Sequence, residues 1–160
     1  LCAQAEALPE LAGLGAAVVV LFAEGGVGQV AWAGDSRAYL LRGKRLTQMT
    51  DDQTTVAALV RAGHLTPDAA RSHPLRHALE EFVGKQGKLN PGFRSRKLHA
   101  RDRWLLCSDG VTKGISNESL GELLRERHAP ETTCRAILEA ASAADGSDNM
   151  SAIVVDVSAE

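Results

Sequence analysis

Cysteines, long apolar runs and an N-terminal basic region are scarce or missing in this sequence. Its 160 residues include only three cysteines, at spacings that match no zinc motif, and the longest apolar run covers residues 16–23. A disulfide framework needs a larger, even set of cysteines, and a membrane-spanning helix needs about 20 apolar residues. No Lys or Arg precedes Arg37, whereas a signal peptide starts with a basic region. These absences predict a reduced, cytoplasmic protein with no membrane partner.

Aromatic residues are also rare, at 4% of the chain. The net charge is −2, but residues 37–103 carry 14 basic and 6 acidic side chains. Such a segment could attract a phosphorylated or nucleic-acid ligand, or it could be an ordinary solvated surface. No aromatic side chains interleave with a dense basic run, so a base-stacking platform is not supported. We therefore expect no nucleic-acid partner.

Short β-strand patterns dominate the chain. Seven segments have the apolar or alternating character of strands: residues 16–22, 27–33, 38–41, 45–49, 93–98, 103–108 and 151–157. The first four form two hairpins, because only a Gly-containing turn separates the members of each pair. The last segment is expected to be a buried strand. Together with helical patterns, these strands predict an α+β fold of stacked antiparallel sheets in one domain, residues 1–160.

Helical patterns occupy the middle and the end of the chain. Val56, Leu59 and Val60 share one helical face, and Thr66 is suited to cap a second helix that begins at Pro67. Ser116 is suited to cap a later helix, and residues 134–141 carry a last one-sided apolar pattern. Because the two helices of residues 52–93 are short and broken by Gly and Pro, we expect this segment to be a mobile flap. The alternative is an ordinary packed helical insertion.

Three aspartates stand where a strand ends beside Gly or Asn. They are Asp35, Asp109 and Asp148. Carboxylates at strand ends can converge on one edge of a sheet, where all-oxygen ligation favours Mg²⁺ or Mn²⁺. Taken singly, such an aspartate more often reflects plain turn chemistry, and Asp109 is the exception because it follows the strongly apolar segment 104–107.

These segments resemble motifs of the metal-dependent protein phosphatase 2C family. Residues 32–40, 105–111 and 148–155 are similar to three of its motifs, in the same order and spacing. Between them, residues 46–53, 63–66 and 72–74 look like the flap segment of its bacterial members. The resemblance runs from about Gly13 to the C-terminus, which corresponds to the C-terminal two-thirds of the family's domain.

The resemblance implies an α-β-β-α sandwich with a two-metal centre that hydrolyses phosphoserine and phosphothreonine by a metal-activated water. Asp109 and Asp148 match metal-ligating positions, and Asp35 matches an aspartate that holds a third ion in bacterial members or serves as a turn residue. Gly110 would let backbone approach the site, and Asn149 would order the loop of Asp148. The implied cofactors are Mn²⁺ or Mg²⁺. The implied partners are a phosphorylated protein substrate and a cognate serine/threonine kinase of a signal-transduction pathway.

The sequence departs from the family in two respects. The family's phosphate-binding arginine and Asp-Gly-His-Gly-Gly motif lie in an N-terminal stretch, and that motif occurs nowhere in these 160 residues. We therefore expect a domain that is incomplete at its N-terminus and does not catalyse alone. The second departure is in residues 77–84, where Glu80 and Glu81 replace the expected Thr and Arg. A catalytically silent phosphatase-like binding or regulatory module is the alternative function.

Overall fold

The computed structural model describes residues 14–158, so Cys2 lies outside the described residues. The strands are β1 (Val18–Glu24), β2 (Val27–Ala33), β3 (Arg37–Arg42), β4 (Arg45–Gln48), β5 (Gly92–Lys97), β6 (Arg103–Cys107) and β7 (Ala152–Asp156). The helices are α1 (Thr55–Arg61), α2 (Pro67–Arg71), α3 (Asp109–Gly114), α4 (Asn117–Arg125) and α5 (Pro130–Ala144). None of the helices in this range is long and apolar enough to cross a membrane.

The strands form two antiparallel sheets. One has the order β1-β2-β5 and the other the order β4-β3-β6-β7. Both hairpins predicted from the sequence are present, β1 with β2 and β3 with β4. The chain passes from the first sheet to the second at Gly34, whose φ of +110° is open to glycine and strained for other residues. The α+β fold of two stacked antiparallel sheets with helices is therefore confirmed.

Each face of strand β6 is buried in a different core. Trp104 and Leu106 pack with Val30, Trp32 and Leu40 between the two sheets. Leu105 and Cys107 face the other way, where they form a core with side chains of α3, α4 and α5. Because all five residues of β6 are buried, this strand is fixed from both sides. Asp109, two residues beyond the end of this strand, therefore starts from a rigid position.

Two local predictions differ from the structure. Asp109 and Gly110 were expected in a turn, but they begin helix α3. Strand β7 was expected to be buried, yet Ile153 is 59% exposed and only Val154 of this strand is buried. The reason is that β7 is the edge strand of its sheet. Ile153 pairs with Leu106 and shares its face, but the described part of the opposite sheet does not extend over it.

Helices α1 and α2 form a separate layer with little buried surface. Val56 is the buried residue of α1, and α2 has none. Both ends of this segment are tied down, by a backbone bridge between Thr54 and Leu79 and another between Ala16 and Val83. The Thr66 side chain caps α2 by accepting a hydrogen bond from the Ala69 N–H, as predicted. The mobility of residues 52–93 stays a prediction.

Candidate metal centre

Asp109 lies at the junction of β6 and α3. It is the first residue of the helix, where the unpaired N–H groups favour a negative charge. The preceding residue, Ser108, is bonded to the start of β7: its N–H donates to the Ser151 carbonyl at 3.1 Å, and its Oγ accepts from the Ser151 N–H at 3.0 Å. These bonds hold the end of β6 against the start of the neighbouring strand.

Asp148 lies in the loop that leads into β7. Its Oδ1 accepts a hydrogen bond from the Asn149 N–H at 2.8 Å. That Asn149 orders the loop of Asp148 stays a prediction. A Cβ placed on Gly110 would come within 2.5 Å of the Asn149 carbonyl oxygen. Gly110 therefore permits the close approach of α3 to the loop of Asp148. Its assignment to a metal site stays a prediction.

Asp35 lies in the crossover between the sheets, next to Gly34. Burial and the nearby negative charge of Asp109 raise the pKa of Asp35 above its usual range. Its turn is held from the flap side, because the Gly34 N–H donates to Gln53 Oε1 at 3.0 Å and the Gln53 N–H donates to the Gly34 carbonyl at 3.1 Å. Asp35 is thus close enough to Asp109 for the two carboxylates to repel each other.

A lysine that the sequence analysis did not single out stands between the other two aspartates. Lys113 Nζ lies 2.5 Å from Asp109 Oδ2 and 2.7 Å from Asp148 Oδ2. The two oxygens are therefore no farther apart than the sum of these distances. Partial burial opposes the charged ammonium, but the hydrogen bonds to Asp109 and Asp148 raise the pKa of Lys113 above its usual value. The hydrogen bond from Lys113 lowers the pKa of Asp148.

A cavity of about 610 Å³ opens beside these residues. Asp35, Asp109 and Lys113 line one side, and α1, α2 and His77 line the other. Arg37 and Asp52 lie in its wall as a bidentate pair, with Nε to Oδ1 at 2.8 Å and Nη2 to Oδ2 at 2.6 Å.

Sequence reasoning missed this pair, although the hairpin register carries a signal for it. Tyr39 pairs with Gln48, so residue 37 stands opposite residue 50 and is a diagonal neighbour of Asp52. The signal for Lys113 is its position four residues after Asp109, on the same face of a helix. This spacing brings two side chains together only in a helix, so it gave no signal while Asp109 and Gly110 were interpreted as a turn.

The donor set fits part of a divalent metal site. Asp109 follows the end of β6 and Asp148 precedes β7, the neighbouring strand, and the two carboxylates already enclose one cationic group. Carboxylate oxygens are the ligands that Mg²⁺ and Mn²⁺ prefer. Within residues 14–158, however, no three or more His, Cys, Asp or Glu side chains are grouped so that they could hold a metal ion. The described residues therefore offer one pair of carboxylates to a metal ion, and any further ligands would be water or other protein groups.

The chain is similar to bacterial serine/threonine phosphatases in sequence and in structure. It is 39% identical to the serine/threonine protein phosphatase PstP of Mycobacterium tuberculosis over 98% of its own length and 30% of that protein. A crystal structure of the PstP catalytic domain with two manganese ions superposes with a TM-score of 0.84 at 34% identity, covering 99% of this chain and 65% of that one.

A third match comes from Mycobacterium smegmatis. The PPM Ser-Thr phosphatase MsPP, crystallised with cacodylate, is 30% identical, with a TM-score of 0.75 over 92% of this chain and 67% of that one. No family model matches the chain. The chain thus spans about a third of the curated PstP sequence and about two-thirds of these solved catalytic domains.

Proposed function

Because the chain belongs to the PPM-type serine/threonine protein phosphatase family, we propose that it is the C-terminal part of a metal-dependent domain that hydrolyses phosphoserine and phosphothreonine in proteins. The observation that carries this proposal is the convergence of Asp109 and Asp148 on Lys113, which lines the cavity together with Asp109. The names of the relatives favour this enzyme over the silent binding module. The cytoplasm, a signalling role and a cognate kinase are part of the same proposal.

In this proposal Asp109 and Asp148 hold one divalent ion. Mn²⁺ or Mg²⁺, when bound, neutralises phosphate charge and lowers the pKa of a coordinated water towards about 7. The crystal structure of the PstP catalytic domain with two manganese ions supports Mn²⁺ for this chain. Asp35 is the ligand of a peripheral third ion, because it stands near Asp109 without contacting Lys113 among the described ion pairs. Asn149 and Gly110 keep the two ligand-bearing segments together.

The cavity would receive the phosphorylated segment of a protein substrate. Its far wall is the flap of residues 52–93, which contributes the exposed side chains of Arg71, Arg76 and His77. Cationic side chains at the entrance attract a phosphorylated peptide and raise its local concentration. The flap would therefore face the substrate while the sheet edge carries the metal ligands.

The proposal is tested with a chimera. The N-terminal third of a relative's catalytic domain, with the family's arginine and Asp-Gly-His-Gly-Gly motif, is joined to residues 14–160 of this chain. We expect Mn²⁺-dependent hydrolysis of p-nitrophenyl phosphate and of a phosphothreonine peptide by the chimera, and none by the 160-residue chain alone. Asp109→Asn and Asp148→Asn should each reduce turnover by about 100-fold or more, since each removes a ligand of the same ion. Asp35→Asn should lower it without abolishing it.

Two results would contradict the proposal. Equal and complete loss in all three variants would remove the distinction between Asp35 and the other two ligands. Mn²⁺-dependent turnover by the 160-residue chain, lost in Asp109→Asn, would mean that the chain assembles a full site without the N-terminal motif. Asp68→Asn, on the exposed first turn of α2, is the matched control and should leave turnover unchanged.

A further inference from the structure

Lys113 lies between the two carboxylates that the proposed function takes as metal ligands. Its ammonium touches one oxygen of each ligand, Asp109 and Asp148, and its side chain is 28% exposed. The lysine reaches Asp109 from one helical turn away and Asp148 from across 35 residues of sequence. It is thus a bridge between two segments as well as a local helical pair.

We propose that Lys113 is a built-in counter-cation, which holds the Asp109–Asp148 pair together in the metal-free protein and competes with the metal ion for the same oxygens. This inference rests on the proposed function, in that it takes these two carboxylates as metal ligands. Two carboxylates at this separation repel each other unless a cation stands between them. Among the described ion pairs, Lys113 is the cation that contacts both of them.

Competition follows from the geometry. A divalent ion binds carboxylate oxygens at about 2.0–2.6 Å, and the ammonium of Lys113 is held at 2.5 and 2.7 Å from the same two oxygens. An ammonium and a metal ion cannot both occupy the space between them, so Lys113 must leave when the metal binds. Each metal-binding event therefore includes the loss of two charge-assisted hydrogen bonds. Lys113 sets the metal concentration at which the centre fills.

The test measures Mn²⁺ binding to the 160-residue chain directly, by calorimetry or by the electron paramagnetic resonance signal of free Mn²⁺. Lys113→Met should bind Mn²⁺ about three- to tenfold more tightly than the unchanged chain. The range reflects the modest free energy of partly exposed ion pairs, which Mn²⁺ no longer has to break in the variant. Lys85→Met is the matched control. Lys85 is 31% exposed and pairs with Glu81 at 2.8 Å in the same i,i+4 arrangement, so its removal should leave Mn²⁺ affinity unchanged.

Thermal melting gives a second readout that does not depend on turnover. In the presence of a chelator, Lys113→Met should lower Tm by about 2–4 °C, because the two carboxylates lose their cation. Saturating Mn²⁺ should close that gap. With Asp148→Asn as the background, adding Lys113→Met should no longer lower Tm in chelator, because one of the two repelling charges is gone. A lysine with a merely structural role would still lower Tm in that background. Lys113→Gln is made alongside and replaces Lys113→Met if that variant does not fold.

The outcomes separate this inference from the proposed function. If Mn²⁺ binds and the chimera turns over, but Lys113→Met leaves affinity and melting unchanged or weakens Mn²⁺ binding, the counter-cation role is wrong and the phosphatase proposal stands. If neither the unchanged chain nor Lys113→Met binds Mn²⁺, the competition is wrong. If the chimera is inactive as well, the phosphatase proposal fails with it.

Discussion

The two ends of the four-stranded sheet differ in how their carboxylates are paired with cations. At one end, each carboxylate has its own guanidinium: Arg42 binds Asp102 through two hydrogen bonds at 2.8 and 2.6 Å, and Arg103 binds Asp156 through two at 2.6 and 2.5 Å. The other end carries three aspartates: Asp35, Asp109 and Asp148. Among the described ion pairs, Lys113 is the cation that contacts two of them, Asp109 and Asp148.

The difference in pairing has opposite consequences for the carboxyl groups. Despite burial, which works the other way, hydrogen bonds from Arg42 lower the pKa of Asp102, and hydrogen bonds from Arg103 lower the pKa of Asp156. Burial and the charge of Asp109 raise the pKa of Asp35. The first end therefore stabilises the fold, whereas the second carries negative charge that a bound cation would neutralise. Arg37, at the same end, is already bound to Asp52, so a shortage of cations paired with the three aspartates, rather than their mere presence, distinguishes the candidate site.

The largest effect is expected at the fully paired end, from Arg103→Met. Arg103 is 2% exposed and also donates to Thr133 Oγ1 at 3.2 Å and to the His128 carbonyl at 2.8 Å. Its removal leaves several partners unpaired, so the free energy of unfolding should fall by about 3–5 kcal/mol in urea denaturation.

The control for this change is Arg135→Met, which breaks the exposed pair with Glu131. Its cost should stay below about 0.5 kcal/mol. A loss below about 1 kcal/mol in Arg103→Met would mean that the paired end does not hold the sheet to α5, and the contrast between the two ends would fail.

The second effect is the pH dependence of stability, which should have opposite signs at the two ends. The pKa of Asp102 is lower in the folded chain, so its stabilising contribution is present above the unfolded value of about 3.9 and is lost as pH falls through the folded pKa. The pKa of Asp35 is higher in the folded chain, so its charge destabilises the fold above that pKa and ceases to do so below about 3.9.

Urea denaturation at pH 7 and pH 3 measures both signs. Asp102→Asn should cost about 2 kcal/mol at pH 7 and clearly less at pH 3. Asp35→Asn should stabilise the chain at pH 7 by about 0.5–1 kcal/mol, as is common where a charge is kept for function, and have no such effect at pH 3. A loss of stability in Asp35→Asn at pH 7 would contradict the view that this end is short of positive charge.

Local sequence signals predicted the elements that depend on local chemistry. Strand β2 has the predicted bounds, and Ser116 caps α4 by accepting a hydrogen bond from the Ser119 N–H. Helix α3 was missed because Asp109-Gly110 favours a turn, and the reason for glycine at position 110 is non-local: a Cβ there would come within 2.5 Å of the Asn149 carbonyl oxygen. The exposure of Ile153 was also missed, because it depends on where the opposite sheet ends.

The convergence of Asp109 and Asp148 was predicted from the sequence, whereas the lysine between them was missed. Asp109 and Asp148 could be inferred to converge because both stand at strand ends, and the pairing of β6 with β7 brings them together. That pairing joins residues about 50 positions apart, and periodicity does not reveal it. The bridge of Lys113 to Asp148 depends on the same pairing. Residue types at strand ends therefore predict which carboxylates come together, whereas the balance of charge around them needs the tertiary structure.

The smallest effect concerns local stability, and it contrasts the flap with β6, the strand that leads to Asp109. In β6 all five residues are buried, whereas α1 has one buried residue and α2 none. Helices of seven and five residues that bury so little surface should open at a fraction of the global free energy of unfolding.

In hydrogen exchange, amides of α1 and α2 should exchange about 100-fold faster than those of β6. Amides at the pinned ends of the segment, such as Thr55, whose N–H donates to the Ala78 carbonyl at 2.9 Å, should exchange more slowly than the middle. Protection of α1 and α2 equal to that of β6 would rule out a mobile flap and favour a packed insertion built on Val56.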